Sequence, residues 1–317
     1  RCVRFAAEVT KTHALGIVRR GDHAIVRGVE DKPFDEPYSD NVVDLCPVGA
    51  LLSKKFLYKT RVWFLEATPS VCPGCARGCK VKVWYRRRDW KLNALDARHN
   101  TSIARVTPLD DGAWICNKGR DLAEIFERPR SAQAMLKGAV TALDEAILAA
   151  RKLIEEAKRP VALVSSWGSN EELAAFEAHL GRRVTSFVKA DFAPRPGEIV
   201  EDPLLIRADK NPNAKGAQAL FGGAPIAFPE GTDLVLVWGE GFDFAKIPAG
   251  AKTILLGSAL LPENGHADVF LPLTLQTERA GHYTNFEGAV SEFHPCFAAP
   301  GSAVDAAVLF ARLGGRP

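Results

Sequence analysis

The chain has 317 residues, enough for about two domains, and its 47% hydrophobic and 25% charged residues are ordinary for a globular protein. A formal net charge of +3 is too small to indicate nucleic acid binding. No apolar run approaches the roughly 18 residues of a membrane-spanning helix, so we expect any work at a membrane to depend on a partner.

The start of the chain is unusual. Its one methionine is Met135, and residue 1 is an arginine. No basic region followed by an apolar stretch marks a secretory signal. We therefore expect residue 1 to follow a truncation.

Residues 1–64 are interrupted by turn signals such as RRGD and YSDN. They predict a short helix at the start, then small strands, and a helix after Cys46 through residues 49–58. Residues 65–125 read as a small β-rich unit. There KVKVWYR alternates like a strand, DWKLNALDA is a return strand, and RHNTSIARVTPLDDG is a loop that leads to Cys116.

Residues 126–317 predict an α/β domain. A helix is expected over 141–159, with Thr141 as N-cap and Pro160 as its stop. VALVSS, DLVLVWGEG and KTILLGS have the composition of buried parallel strands, and HADVFLPL enters another. NEELAAFEAHLG predicts a helix closed by Gly181.

Cysteine spacing is the strongest chemical signal. The seven cysteines are Cys2, Cys46, Cys72, Cys75, Cys79, Cys116 and Cys296. An odd number with three in eight residues is a poor disulfide framework. Structural zinc favours two C-x2-C pairs. The pattern C-x2-C-x3-C with a distant fourth cysteine favours a [4Fe–4S] cluster, because one loop wraps three corners of a cubane.

Cys46 precedes a proline, in CPVGAL, and a terminal Cys-Pro typically closes a [4Fe–4S] ligand set. It implies three thiols upstream, of which this sequence has only Cys2. The alternative is a buried apolar cysteine before a turn.

Other candidate functional residues give weaker signals, and no set of nucleophile, base and acid side chains indicates a catalytic site. The basic aromatic run WYRRRDWK is interpreted as a solvated or subunit-contacting edge rather than an RNA site. Cys296 has no metal-like neighbours. The histidines are scattered and are interpreted as surface or satisfied core residues: His13, His23, His99, His179, His266, His282 and His294.

Several stretches together resemble a known family. RCVRFAAEV, RRGDHA, NVVDLCPVGAL, RVWFLEATPSVCPGCARGCKV and WICNKGR are similar, in order, to the large iron–sulfur (75-kDa) subunit of NADH-quinone oxidoreductase, respiratory complex I. LLIRADKNPNAKGAQAL and HADVFLPLTLQTERAGHYTNFEGAVSEF resemble that subunit's molybdopterin-oxidoreductase-like domain more weakly.

The resemblance implies α/β architecture with an α+β N-terminal part. Residues 1–64 would be the remnant of a ferredoxin-like [4Fe–4S] domain, and residues 65–125 a small β-rich [4Fe–4S] domain. Residues 126–317 would be a shortened molybdopterin-oxidoreductase-like domain.

The resemblance also implies two cluster sites. Cys72, Cys75, Cys79 and Cys116 match one [4Fe–4S] ligand set completely. Cys2 and Cys46 match the third and fourth ligands of another, whose first two would precede Arg1.

No molybdopterin is expected. Lys118 matches the lysine that relays electrons to the pterin in true molybdoenzymes, and we interpret it as a relic or a structural lysine. The turn that usually supplies the metal ligand has no cysteine. Its possible oxygen ligands are Ser165, Ser166 and Ser169.

The expected function is electron transfer to quinone from NADH and FMN, with no substrate chemistry on this chain. Expected partners are the NADH/FMN-binding subunit and other iron–sulfur subunits, on the cytoplasmic side of the plasma membrane, with neither nucleic acid nor membrane insertion. Alternatives are the equivalent subunit of an NAD-linked hydrogenase or formate dehydrogenase, and, outside redox chemistry, a zinc-binding docking protein.

Overall fold

The computed structural model describes residues 1–29, 34–86 and 101–315. The chain forms two compact units. Unit 1 is built from Arg1–Ala67 and Val81–Ala123, and unit 2 from Thr68–Lys80 and Glu124–Pro317. The three-part division made from the sequence stays a prediction.

Helices within the described residues are, in chain order, α1 (Cys2–Arg4), α2 (Asn41–Leu45), α3 (Asn117–Arg120), α4 (Leu122–Phe126), α5 (Leu143–Glu156), α6 (Asn170–Phe176), α7 (Ala214–Phe221), α8 (Glu263–His266) and α9 (Ala306–Leu313). Strands within them are β1 (Leu15–Val18), β2 (Ile25–Gly28), β3 (Glu66–Val71), β4 (Lys80–Tyr85), β5 (Ile103–Pro108), β6 (Ala134–Leu136), β7 (Ala139–Thr141), β8 (Pro160–Ser165), β9 (Thr185–Lys189), β10 (Leu234–Trp238), β11 (Lys252–Gly257), β12 (Val269–Pro272), β13 (Gly281–Thr284) and β14 (Val290–Phe293). Among the described residues, no helix is long and apolar enough to cross a bilayer.

Unit 2 is organised by a seven-stranded sheet in the order β7-β6-β12-β11-β10-β8-β9. The strands from β12 to β9 pair in parallel, and β6 and β7 add antiparallel pairs at one edge. Every residue of β8, β10 and β12 is buried, as expected for strands covered on both faces. The predicted α/β class is confirmed.

The two faces of this sheet have separate apolar cores. Alternate residues such as Ala162, Leu236 and Leu256 pack with α5, α6 and α9. Their neighbours, such as Leu163, pack on the opposite face with loop aromatics that include Phe242. This alternation is the period of two expected of a strand.

Smaller antiparallel pairs complete the architecture. In unit 1, β1 pairs with β2 from Leu15↔Gly28 to Val18↔Ile25, and β4 pairs with β5. In unit 2, β13 pairs with β14. Both units therefore contain antiparallel strand pairs.

The helix predicted after Cys46 is wrong. Residues 47–59 form turns, and the helix, α2, precedes Cys46 instead. Cys46 is extended (φ −79°, ψ 104°) because a proline follows it. Gly49 then takes a left-handed φ of +65°, which stops a helix from restarting.

The predicted loop before Cys116 is also wrong in part. Residues 103–108 form β5, whose Ile103 and Val106 are buried where the strand pairs with β4. The predicted return strand DWKLNALDA lies outside the described residues. The strand prediction for KVKVWYR is confirmed as β4.

The predicted cap of α5 is wrong as well. Thr141 ends β7, so Ala142 is the N-cap, and the helix ends at Glu156 with Pro160 opening β8. The predicted helix NEELAAFEAHLG is confirmed as α6 and a following π-helical turn, Glu177–Gly181.

A contrast between two hydroxyls tests this capping. Ser169 closes a capping box, because its Oγ accepts from the Glu172 N–H at 3.2 Å and the Glu172 carboxylate accepts from the Ser169 N–H at 2.7 Å. Ser169→Ala should lower the free energy of unfolding by about 1 kcal/mol. Thr141→Ala should cost less than about 0.5 kcal/mol, because Thr141 precedes the N-cap residue Ala142 and its hydroxyl bonds the Glu145 side chain. Urea denaturation of the full chain measures both, and equal losses would contradict the assignment.

Candidate metal centre

Three of the predicted ligands lie on one loop of unit 2. Cys72, Cys75 and Cys79 occupy the segment between β3 and β4. The Cys72 N–H donates to the Cys79 carbonyl at 2.8 Å and closes the loop. The Gly74 N–H donates to Cys72 Sγ at 3.5 Å. Backbone N–H groups aimed at sulfur stabilise a metal-bound thiolate, so the donor chemistry of this loop fits an iron–sulfur cluster.

The cysteine loop is held by unit 2 through its backbone. The Ala76 N–H donates to the Asp209 carbonyl at 2.9 Å, and the Phe286 N–H donates to the Ala76 carbonyl at 2.9 Å. Gly78 has a φ of +61°, and a Cβ there would lie 3.3 Å from the Asn285 Cβ. Glycine at 78 therefore permits both the backbone conformation and the close approach.

The strand that leads into the loop is fixed by a buried glutamine. Gln276 Nε2 donates to the Val71 carbonyl at 2.7 Å, one residue before Cys72. The short 3₁₀ helix that carries it, Gln276–Glu278, is secured because Arg130 donates to both carboxylate oxygens of Glu278, at 2.7 and 3.0 Å.

The fourth predicted ligand lies in unit 1, where Cys116 is the N-cap residue of α3. Asn41, which is fully buried, donates to the Ile115 carbonyl at 2.9 Å and accepts from the Ile115 N–H at 3.3 Å. The same Asn41 oxygen accepts from Arg120 at 2.8 Å. Since Asn41 begins α2 and Cys46 follows its end, one side chain links the segments next to two predicted ligands.

The remaining predicted ligands also lie in unit 1. The pKa of the Cys46 thiol lies below its usual value because backbone N–H groups of residues 48–51 donate toward its sulfur, with Leu51 contributing most. Cys2 opens α1, which continues as a π-helical turn carrying Phe5. The Phe5 ring lies 4.9 Å from that of Trp114, two residues before Cys116.

The ligand sets themselves are not assembled. Among residues 1–29, 34–86 and 101–315, no three His, Cys, Asp or Glu side chains converge in a geometry that holds a metal ion. All seven cysteines lie in these ranges and none forms a disulfide. Lys118 is placed in α3, two residues after Cys116.

Sequence reasoning missed a buried polar cluster at the carboxyl edge of the large sheet. There Ser165 Oγ donates to Asp191 at 2.6 Å, and Lys189 forms an ion pair with Asp191 and donates to the Glu240 carbonyl. A Cβ at Gly239 would lie 2.1 Å from an Asp191 oxygen. The closely spaced opposite charges of Lys189 and Asp191, just after the segment TSFV, were the available signal.

This cluster also accounts for the three candidate oxygen ligands. Ser165 bonds Asp191, Ser166 donates to the Lys189 carbonyl at 2.5 Å, and Ser169 caps α6. All three hydroxyls thus have structural partners.

Comparison with known proteins supports the resemblance. Residues 1–52 match the family described as the ferredoxin-like domain of NADH-quinone oxidoreductase subunit 3. NADPH-Fe(3+) oxidoreductase subunit alpha of Geobacter sulfurreducens is 33% identical over 44% of the chain. NADH-quinone oxidoreductase subunit 3 of Thermus thermophilus is 30% identical over 50% of this chain. The NADH-ubiquinone oxidoreductase 75 kDa subunit of Reclinomonas americana is 28% identical over 75% of this chain.

Over residues 1–52 the chain is therefore similar to a ferredoxin-like domain. In particular, it is similar to the large 75-kDa subunit of NADH-quinone oxidoreductase. The matched region covers only 15%, 19% and 34% of those three relatives. One chain of a solved formyltransferase/hydrolase complex from Methylorubrum extorquens also matches, over 57% of this chain and 97% of that one. Its TM-score of 0.36 and its 11% identity are too low to indicate fold or function.

Asn41 generates a stability prediction. Asn41→Ala leaves the buried Ile115 N–H and carbonyl without these partners, so we expect the free energy of unfolding of the chain to fall by roughly 2–4 kcal/mol. Asp22→Ala, at a side chain that is 86% exposed, is the control and should change it by less than about 0.5 kcal/mol. Guanidinium denaturation of the two variants distinguishes them, and equal stabilities would contradict the linking role of Asn41.

Cys296 generates a reactivity prediction. Burial raises the pKa of its thiol to about 12, so the group stays protonated in the folded chain at pH 9. Since the thiolate is the nucleophile, iodoacetamide should alkylate Cys296 at least about 100-fold more slowly in the folded chain than in urea. Mass spectrometry of the labelled peptide measures this. Equal rates in the two states would show that Cys296 is not buried.

Proposed function

We propose that this chain is an electron-transfer iron–sulfur subunit in which Cys72, Cys75, Cys79 and Cys116 hold one [4Fe–4S] cluster. The observation that carries the proposal is the loop of residues 72–79, closed on itself and supplied with a backbone N–H toward a cysteine sulfur. The resemblance to the large iron–sulfur subunit supports adding Cys116 as the fourth ligand.

Cys2 and Cys46 are proposed as two ligands of a second [4Fe–4S] cluster. Both lie within residues 1–52, which match the ferredoxin-like domain family. The N–H groups of residues 48–51, which favour the Cys46 thiolate, support its role as a ligand. Within this sequence the second set has two of its four thiols.

A bound [4Fe–4S] cluster supplies one-electron exchange. The work of the chain is then to position and bury sulfur ligands. Backbone N–H donors near the sulfurs offset the negative charge gained on reduction and so favour the reduced state. No residue of the chain needs to make or break a substrate bond, so we assign no catalytic residue.

The complex to which this subunit belongs is proposed to be NADH-quinone oxidoreductase. In that assembly the NADH/FMN-binding subunit and other iron–sulfur subunits would be its neighbours, on the cytoplasmic face of the membrane. The relatives named above include an NADPH-Fe(3+) oxidoreductase subunit at 33% identity. The first alternative is therefore a complex that passes its electrons to an acceptor other than quinone. The second is a zinc-binding docking protein, which the same thiols would suit chemically.

A single substitution tests the complete site. Cys79→Ala removes one proposed ligand, and the chain reconstituted with iron and sulfide should lose about four iron atoms relative to the unaltered protein. Iron and zinc are measured per chain, together with the visible absorbance of the cluster.

Cys296→Ala is the matched control, since it removes a partly buried cysteine that is not a proposed ligand, and the iron content of this variant should not change. Unchanged iron in Cys79→Ala would contradict the ligand set. Stoichiometric zinc in a colourless chain would favour the docking protein.

A further inference from the structure

We propose that residues 57–64, here called the aromatic segment, form a docking surface for another polypeptide that presents an apolar pocket edged by carboxylates. This inference goes beyond the cluster assignment and does not depend on it. The whole segment lies in unit 1.

Large aromatic side chains on the segment are exposed. Tyr58 is 89% exposed, Trp63 is 73% exposed and Phe64 is 49% exposed. The 3₁₀ helix Val62–Phe64 has no buried residue. Single exposed apolar residues are ordinary, but the rings of Trp63 and Phe64 lie 6.0 Å apart and form an exposed aromatic pair, with Tyr58 five positions earlier. Grouped exposed apolar side chains of this kind mark interaction sites.

The base of the segment is fixed while its tip is exposed. Lys59 is buried and its Nζ donates to the Ile103 carbonyl at 2.9 Å. The Arg105 guanidinium lies 4.9 Å from the Phe56 ring centroid, just before the segment. Within the segment, the Phe64 N–H donates to the Arg61 carbonyl at 3.1 Å. Anchors held on an ordered backbone bind with a smaller entropic cost.

Tyr58 combines exposure with backbone strain. Its φ is +61°, in the left-handed region that a bulky residue rarely adopts. A residue such as glycine would satisfy the turn without strain. Because strained positions persist at sites of function, the exposed phenol is better explained by binding than by folding.

Charge identifies the chemistry of the partner. Residues 52–65 contain no acidic residue and four basic ones: Lys54, Lys55, Lys59 and Arg61. Lys59 is buried, and Lys55, although exposed, pairs with Asp121 at 2.5 Å. Lys54 and Arg61 are also exposed, and the Arg61 guanidinium lies 5.8 Å from the Trp63 ring centroid. Carboxylates at the edge of the partner's pocket would complement them.

This composition favours a protein over other occupants. Trp, Tyr and Arg dominate the binding energy of protein interfaces. A second copy of the chain would bring like charges together. A membrane surface is usually bound by an amphipathic helix, whereas the helix here is three residues long.

Photo-crosslinking in the native host tests the surface in the assembled protein. With p-benzoylphenylalanine in place of Trp63, we expect crosslinks to one other polypeptide, at a peptide that contains apolar residues and Asp or Glu. Adding Arg61→Glu should reduce the yield about 10-fold. The control places the same probe at Leu148, an apolar residue of α5 that is 63% exposed, and should give no such product.

Crosslinks to the chain's own polypeptide or to a second copy would overturn the proposal. So would a crosslink yield at Trp63 that is no higher than at Leu148, or one that Arg61→Glu does not change. Binding to phosphatidylglycerol vesicles that is weakened by Arg61→Glu, without a protein crosslink, would also overturn it. Circular dichroism of Arg61→Glu shows whether the fold is retained. Iron per chain in the same preparation separates a failure of this proposal from a failure of the cluster assignment.

Discussion

Ala76, within unit 2, is hydrogen-bonded through both its N–H and its carbonyl to other segments of that unit, and the geometry of the cysteine loop depends on these two bonds. Because its partners are the carbonyl of Asp209 and the N–H of Phe286, the loop is shaped by segments more than 130 positions further along the chain. Gln276 adds a third constraint at the residue before Cys72. Hydrogen bonds within unit 2 thus position the backbone of the loop that carries three cysteines, which the proposed electron-transfer centre requires.

In unit 1 a side chain, rather than the backbone, fixes the segments next to predicted ligands. Asn41 satisfies the buried polar groups of Ile115 and also accepts from Arg120, so α2 and the start of α3 are joined at one point. Cys46 and Cys116 each lie directly beside these elements. In both units, therefore, the backbone next to predicted ligands is fixed by hydrogen bonds from residues distant in the sequence.

Much of the α/β unit was predictable, since buried apolar runs such as LVLVW define parallel strands regardless of their partners. The helix prediction after Cys46 failed for a local reason. The segment after Cys46 has helical composition, but Pro47, Gly49 and the left-handed Tyr58 break it. The cysteine spacing predicts a [4Fe–4S] centre, whereas the hydrogen bonds of Asn41 to Ile115 join residues 74 positions apart, which no local pattern records.

The central claim is that the thiols at 72, 75, 79 and 116 hold a [4Fe–4S] cluster that carries single electrons. Mössbauer and EPR spectroscopy of the iron-reconstituted chain, before and after reduction by dithionite, test it most directly. We expect a diamagnetic oxidised cluster with about four iron and four sulfide per chain, which becomes paramagnetic on uptake of one electron. A colourless chain that takes up zinc and gives no paramagnetic signal on reduction would contradict it.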